Sequence, residues 1–144
     1  MASRKTYRCT LDQLDGVLAE IMADETRELE KVAASAIVQT ASDCRDDLES
    51  RARALFGGTG AYASGMAVSA NEHGLDTSAA VYNAGPDAPL GHLLENGHAI
   101  VVNHGGRGPK RMAATGKRVA GRPHWKPAFE DAVKRLDRRL RNEL

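Results

Sequence analysis

Residues 11–56 read LDQLDGVLAEIMADETRELEKVAASAIVQTASDCRDDLESRARALF, and apolar side chains recur along them at intervals of three or four. This spacing predicts an amphipathic α-helix with one face directed at a core. Thr10 and Gln13 form a capping-box pattern at its start, because each side chain can satisfy a free amide there. Three glycines within residues 57–60 predict its end, since glycine loses much backbone entropy in a helix. The apolar face comprises Leu11, Leu14, Leu18, Ile21, Leu29, Val32, Ala33, Ala36, Ile37, Thr40, Ala41, Cys44, Leu48, Ala52 and Leu55.

The predicted helix is too long to lie within a compact domain. At 1.5 Å per residue it would extend about 69 Å, whereas a domain of this size has a radius of gyration of about 15 Å. We therefore expect it either to bend near Asp24 and Glu25, because Glu25 falls on the apolar face, or to project and contact a neighbour. Small side chains at Ala33, Ala36 and Ala41 allow close approach, and packing against the chain's own sheet is favoured over an intersubunit contact.

Short strands are predicted beyond the glycines. The period changes to two from Tyr62 to Val68, which predicts a first strand, and residues 77–83 can return as a second, antiparallel strand. Residues 99–102 are apolar and β-branched enough for a third strand, and residues 118–120 are a candidate fourth. We expect these strands to form one small antiparallel sheet of three to four strands.

Two more helices complete the predicted architecture. Residues 90–96 read as a short helix stopped by Gly97, and Pro127 suits the first turn of a last helix. The expected fold class is α+β, with the long N-terminal helix and the C-terminal helix packed on the sheet. The chain is predicted to be a single domain with an N-terminal tail (1–10), a long helical region (11–56), the sheet and short helix (61–102), a basic Gly-rich loop (103–122) and a C-terminal helix (123–144).

Composition predicts a thin core, and the cysteines predict folding in a reducing compartment. The chain is 42% hydrophobic, but it has only 1 Trp, 3 Tyr and 2 Phe, and alanine supplies much of the apolar content. Small side chains contribute little transfer energy each, so we expect part of the buried area to come from contacts with other subunits. Cys9 and Cys44 give neither a disulfide framework nor a metal spacing, which predicts folding in a reducing cytosol. Neither a membrane span nor a signal peptide is predicted.

Charge is unevenly distributed. Residues 96–129 contain seven basic and no acidic side chains, whereas residues 1–56 contain 11 acidic and 8 basic ones. The basic segment is typical of a surface for an acidic partner, either nucleic acid or a protein face. Its glycines also predict an extended or mobile loop that forms a hairpin only after assembly. The basic residues are Arg107, Lys110, Arg111, Lys117, Arg118, Arg122 and Lys126.

A metal site and a catalytic site are weaker alternatives. His92, Glu95 and His98 could in principle converge on zinc. The two histidines are six residues apart and Gly97 interrupts the helix, whereas helical zinc pairs sit four apart. We therefore expect no metal, no cofactor and no catalysis, and we keep a metal-dependent hydrolase only as a distant alternative.

The order of segments after residue 90 resembles a known family. A short helix with Leu93, Leu94 and Glu95, a long Gly- and Arg-rich loop and an Arg-Pro step into the last helix resemble the tail-completion and head–tail joining family of long-tailed bacteriophages. The chain departs from that pattern at Gly57-Gly58, where the family often has Ala-Pro, and at Asn96, where an aromatic residue is common. The matching positions are Tyr62, Leu94, Glu95, Gly97, Arg122, Pro123, Pro127 and Ala128.

This resemblance implies a structural role. It implies a ring, commonly a hexamer, at the top of the tail, which completes the tail tube or joins it to the head connector. The partners would be copies of the chain, connector or stopper proteins, tail tube proteins and genome DNA in the lumen. The location would be the virion neck, and the host cytoplasm during assembly. The alternative is a small basic protein that binds DNA without sequence preference.

Specific residues carry the expected contacts. Lumenal DNA or a partner protein would meet Arg107, Lys110, Arg111, Lys117 and Arg118, and a ring of such segments would attract DNA without reading its sequence. Loop anchoring and assembly would depend on Leu94, Glu95, Gly97, Arg122 and Pro123. In particular, we expect a charge-assisted pair between Glu95 and an arginine, with Arg122 the first candidate and Arg118 the second.

Overall fold

The computed structural model describes residues 6–103 and 112–143. A 3₁₀ turn, Leu11–Gln13, leads into helix α1, Leu14–Phe56, and the capping box predicted at Thr10 is present. The Thr10 amide donates to Gln13 Oε1 at 3.4 Å. Helix α1 ends where predicted, because Gly57 and Gly58 adopt φ of 51° and 66°, values that residues other than glycine rarely adopt.

Helix α1 runs for 43 residues through Asp24 and Glu25 without interruption. The break predicted there is wrong, and the projecting alternative is the observed one. Its first buried residue is Ala34, and most of the first half of the helix extends beyond the two sheets and the last helix, although Tyr7 bonds Asp24 and Gly74 lies against Glu30. Glu25 needs no break because it is exposed, and local pairs such as Arg27 with Asp24 support the exposed turns.

A first hairpin covers the second half of α1. Strands β1, Met66–Asn71, and β2, Ser78–Asn83, pair antiparallel, and α1 contacts both. The first predicted strand is present but begins at Met66 rather than at Tyr62, because residues 61–64 form a short helix, α2 (Ala61–Ser64). Tyr62 and Ala63 are both buried, and a strand with one solvated face cannot bury two successive side chains.

A second hairpin follows the short helix α3, Gly91–Asn96. Strands β3, Gly97–Asn103, and β4, Met112–Ala120, pair antiparallel with an irregularity between Ala99 and Val101. The expected single sheet is therefore wrong: the described residues form two separate two-stranded sheets. The basic segment is also not one loop, since most of its second half is β4, and β3 and β4 pair within a single chain.

The last helix, α4, spans Trp125–Glu143 and packs against α1. Arg139 donates to Thr40 Oγ1 at 2.9 Å and pairs with Asp43, while Arg51 Nη2 lies 2.7 Å from Asp131 Oδ2. The core between these elements is thin, as predicted. It comprises Cys44, Leu48, Ala52, Tyr62, Ala63, Met66, Ala128 and Ala132.

No helix in the described part of the chain combines the length and the apolar character needed to cross a membrane.

Candidate functional site

Glu95 caps the start of α4 from a distant part of the chain. Its carboxylate accepts hydrogen bonds from the backbone amides of His124 at 2.7 Å, Trp125 at 3.0 Å and Lys126 at 3.1 Å. The first amides of a helix have no partner within the helix, and the helix dipole favours negative charge there. Glu95, at the end of α3, thereby fixes the position and direction of α4.

The same contacts determine the ionisation of Glu95. Burial by itself would raise the pKa of this carboxyl, but the three amide donors outweigh it and hold the pKa below its usual value. The group is therefore ionised at neutral pH, which the cap requires. A positive charge on the neighbouring His124 ring, when that ring is protonated, lowers the pKa of Glu95 further.

His124 lies at the centre of a buried hydrogen-bond network and is 0% exposed. Its Nε2 lies 2.7 Å from the Tyr62 hydroxyl, which also accepts from Trp125 Nε1 at 3.1 Å. The proton of the neutral ring is assigned to Nδ1, which faces two oxygen acceptors, so Nε2 accepts from the Tyr62 hydroxyl. Nδ1 lies 2.9 Å from both Arg122 O and Glu95 Oε2. Each polar atom of this network thus has a partner.

Arg122 serves a different helix from Glu95. Its guanidinium Nη1 donates to Leu55 O at 2.8 Å, in the last turn of α1, where carbonyls lack helical partners. Its backbone amide donates to Leu94 O at 2.7 Å. The predicted pair between Glu95 and Arg122 is therefore wrong, and Glu95 has no arginine partner among the described residues. The amides at the start of α4 bind Glu95, and a carbonyl at the end of α1 binds Arg122. Spacing along the sequence could not show that these two helix ends lie together.

Two glycines allow close backbone approach at the base of the second hairpin, one between its two strands and one against the end of α3. Gly97 has φ of +79°, and a Cβ there would lie 2.4 Å from Val119 O. A Cβ on Gly121 would lie 2.5 Å from Glu95 O. The prediction that both ends of the basic segment are anchored in one place is confirmed. We call this assembly the anchor: Tyr62, Leu94, Glu95, Gly97, Gly121, Arg122, His124 and Trp125.

The anchor unites most of the residues of the family resemblance. Leu94 packs on the core, and Pro123 lies between the two bonded residues Arg122 and His124. Pro127 lies in the first turn of α4 and Ala128 is buried in the core. Sequence reasoning missed His124 and Trp125, although an imidazole and an indole at the start of a helix could have signalled a buried polar contact.

The structure describes only some of the basic residues predicted to contact DNA or a partner protein. Lys117 and Arg118 are exposed on β4. Arg107, Lys110 and Arg111 lie outside the described residues. Within the described residues, no group of three His, Cys, Asp or Glu side chains has an arrangement suited to a metal ion, and the carboxylate of Glu95 is already held by three amides.

No family model, curated protein or solved structure matched the chain.

Proposed function

We propose that the chain is a structural ring subunit of a bacteriophage neck, which completes the tail tube or joins it to the head connector. The ring would be built from copies of the chain, commonly six, with connector or stopper proteins on one side and tail tube proteins on the other. Genome DNA would pass through its lumen. No reaction is part of this role.

The observation that carries the proposal is the anchor. Most of the residues that resemble the tail-completion family meet in one hydrogen-bonded joint around the buried side chains of Tyr62 and His124, so they specify a shape rather than present reactive groups. The joint holds the basic hairpin β3–β4 at a fixed place relative to α1 and α4. Such a fixed basic hairpin suits a subunit whose copies must present the same surface around a channel.

The exposed hairpin also supports a second candidate, a monomeric protein that binds DNA without sequence preference. Lys117 and Arg118 are exposed on β4, and residues 96–129 carry no acidic side chain. Phosphate binding by such a surface should weaken steeply as salt increases. This candidate predicts a monomer that shifts short duplex DNA of any sequence.

Three experiments test the proposed role. Negative-stain imaging of the purified chain should show closed rings with a central channel. Deleting its gene in the phage that carries it should yield separate heads and tails, and immunogold labelling of intact particles should mark the neck. Monomers together with normal particles after the deletion would reject the neck role. A monomer that shifts duplex DNA would favour the second candidate.

A further inference from the structure

The projecting half of α1 and the 3₁₀ turn that precedes it carry an uncovered apolar stripe. It comprises Leu11, Leu14, Leu18, Met22 and Leu29, all of them exposed, with Leu11 at 92% and Met22 at 70%. The stripe spans about 27 Å along the helix axis at 1.5 Å per residue. Contiguous apolar surface of this kind marks an interaction site in a soluble protein.

An apolar groove lies elsewhere on the same subunit. It has a volume of about 430 Å³ and lies between the second half of α1, β2 and α4. Its floor includes Cys44 and Leu48, and its rim is open, with Phe129 66% exposed and Val133 half-exposed. The remaining apolar rim is contributed by Ile37, Val81 and Leu136.

The stripe of a subunit cannot fill the groove of the same subunit. Both lie on α1, and the helix continues between them without a break. The stripe could turn back onto the groove only if α1 were broken between Leu29 and Ile37. A helix from another molecule, in contrast, can lie in such a groove with its apolar side chains as anchors.

Charge favours a second copy of the chain as that molecule. Residues 11–31 contain seven acidic and two basic side chains, while residues 125–143 of α4 contain six basic and four acidic ones. A copy docked through its stripe would therefore bring a net negative helix beside a net positive one. Complementary charge of this kind steers association and fixes the register.

We propose that the stripe of one copy docks in the groove of the next copy. The two surfaces differ, so the contact is head to tail, and each subunit keeps one free stripe and one free groove until a ring closes. This inference deepens the proposed ring and rests on its self-association, but not on its place in a phage.

Complementation between two variants tests this contact directly. The stripe variant is Leu18→Glu with Met22→Glu, and the groove variant is Phe129→Glu with Val133→Glu. All four side chains are exposed in the subunit, so both variants should fold, with unchanged far-UV circular dichroism. Each variant alone should self-associate at least about tenfold more weakly than the wild type. An equimolar mixture should form a 1:1 dimer and nothing larger. The intact stripe of the groove variant docks in the intact groove of the stripe variant, and the two surfaces left free both carry substitutions.

Matched controls separate this contact from general charge effects. Ala19→Glu with Ala23→Glu adds two acids beside the stripe at the same spacing, and Lys134→Gln with Arg138→Gln changes the charge of α4 by the same amount as the groove variant. Both controls should retain the wild-type mass, which sedimentation velocity or native mass spectrometry would measure.

Each alternative result overturns a different statement. Rings that persist in the stripe or groove variant would overturn this contact and leave the proposed ring intact. Weakened variants that fail to complement each other would show a symmetric contact instead. If the wild type is monomeric at every concentration, both the proposed contact and the proposed ring are wrong. Rings built through this contact but absent from phage particles would leave the contact standing and remove the neck role.

Discussion

The two halves of α1 are one continuous helix with very different surroundings. Apolar residues follow the same spacing of three and four from Leu11 to Leu48, yet every buried residue of the helix lies at or beyond Ala34. The second half is covered by β1, β2 and α4. The first half has exposed leucines and the methionine of the stripe in place of a core.

This difference teaches that the fold of one subunit accounts for only part of its apolar pattern. Hydrophobic spacing shows which face needs a partner, but not whether the partner belongs to the same molecule. In the second half the partner is the chain's own sheet and α4. In the first half, local pairs such as Lys31 with Glu28 support the helix, and we propose that another subunit covers the stripe.

The largest expected effect on stability comes from truncating Leu48 in the second half of α1, and the same truncation at Leu18 in the first half is the comparison. Leu48 is 1% exposed, so Leu48→Ala should lower the free energy of unfolding by about 2–5 kcal/mol, through lost transfer energy and a cavity. Leu18→Ala should lower it by less than about 0.5 kcal/mol in a dilute single subunit, because Leu18 is exposed. Urea denaturation measures both. Equal losses would show that the first half is packed within the subunit.

Glu95→Gln tests the cap that the Glu95 carboxylate forms on the first amides of α4. We expect a loss of about 1–3 kcal/mol at neutral pH, since a charged acceptor of three amides becomes neutral. The exposed Glu130→Gln serves as the control and should change little.

The pH dependence of the same variant has a definite sign. The pKa of Glu95 is lower in the folded chain, so the unfolded chain takes up the proton first as pH falls. Its stabilisation is complete above the unfolded pKa of about 4.3 and disappears as pH falls through the folded pKa. The difference between wild type and Glu95→Gln should therefore shrink on acidification. A constant difference from neutral to acidic pH would contradict the cap.

Much of the fold could be predicted from sequence, because neighbouring residues determine where many of its helices begin and end. The capping box at Thr10, the glycine stop after Phe56 and the helical spacing of α4 are each decided by neighbouring residues. Strand β4 was largely missed because its side chains at residues 115–120 are exposed and Gly116 interrupts it with φ of +77°. A pattern of buried residues cannot reveal a strand that buries so little.

The anchor could be predicted as a place but not as a set of bonds. The sequence correctly predicts that Glu95 and Arg122 lie near each other at the base of the basic segment, but not that they fail to pair. Their actual partners are backbone groups, three amides of α4 and a carbonyl of α1. Those partners become available only when two helix ends come together in three dimensions, which spacing along the chain does not show.

Tyr62→Phe is expected to have the next smaller effect. It removes the hydroxyl that bonds His124 Nε2 and Trp125 Nε1, and we expect a loss of about 1–2 kcal/mol because the buried Nε2 loses its donor. Tyr82→Phe, at an exposed tyrosine, is the matched control and should cost less than about 0.5 kcal/mol. Similar values for the two variants in thermal unfolding would mean that the network contributes nothing.

The smallest effect concerns Arg122, which caps the covered end of α1. Arg122→Ala should lower the free energy of unfolding by about 0.5–1 kcal/mol, since its guanidinium is exposed to solvent. In a double-mutant cycle with Glu95→Gln, the two losses should add to within about 0.5 kcal/mol, because the side chains serve different helices. A strong coupling energy would instead indicate direct pairing between them.

Hydrogen exchange along α1, in dilute subunits and in the assembled protein, tests most directly whether another copy covers the first half. We expect the amides of residues 34–56 to be protected in both states. Residues 14–33 should exchange fast in the single subunit and become protected on assembly, and the stripe variant should lose that gain. Slow exchange of residues 14–33 in a verified monomer, or unchanged fast exchange in the assembled protein, would contradict the proposed docking.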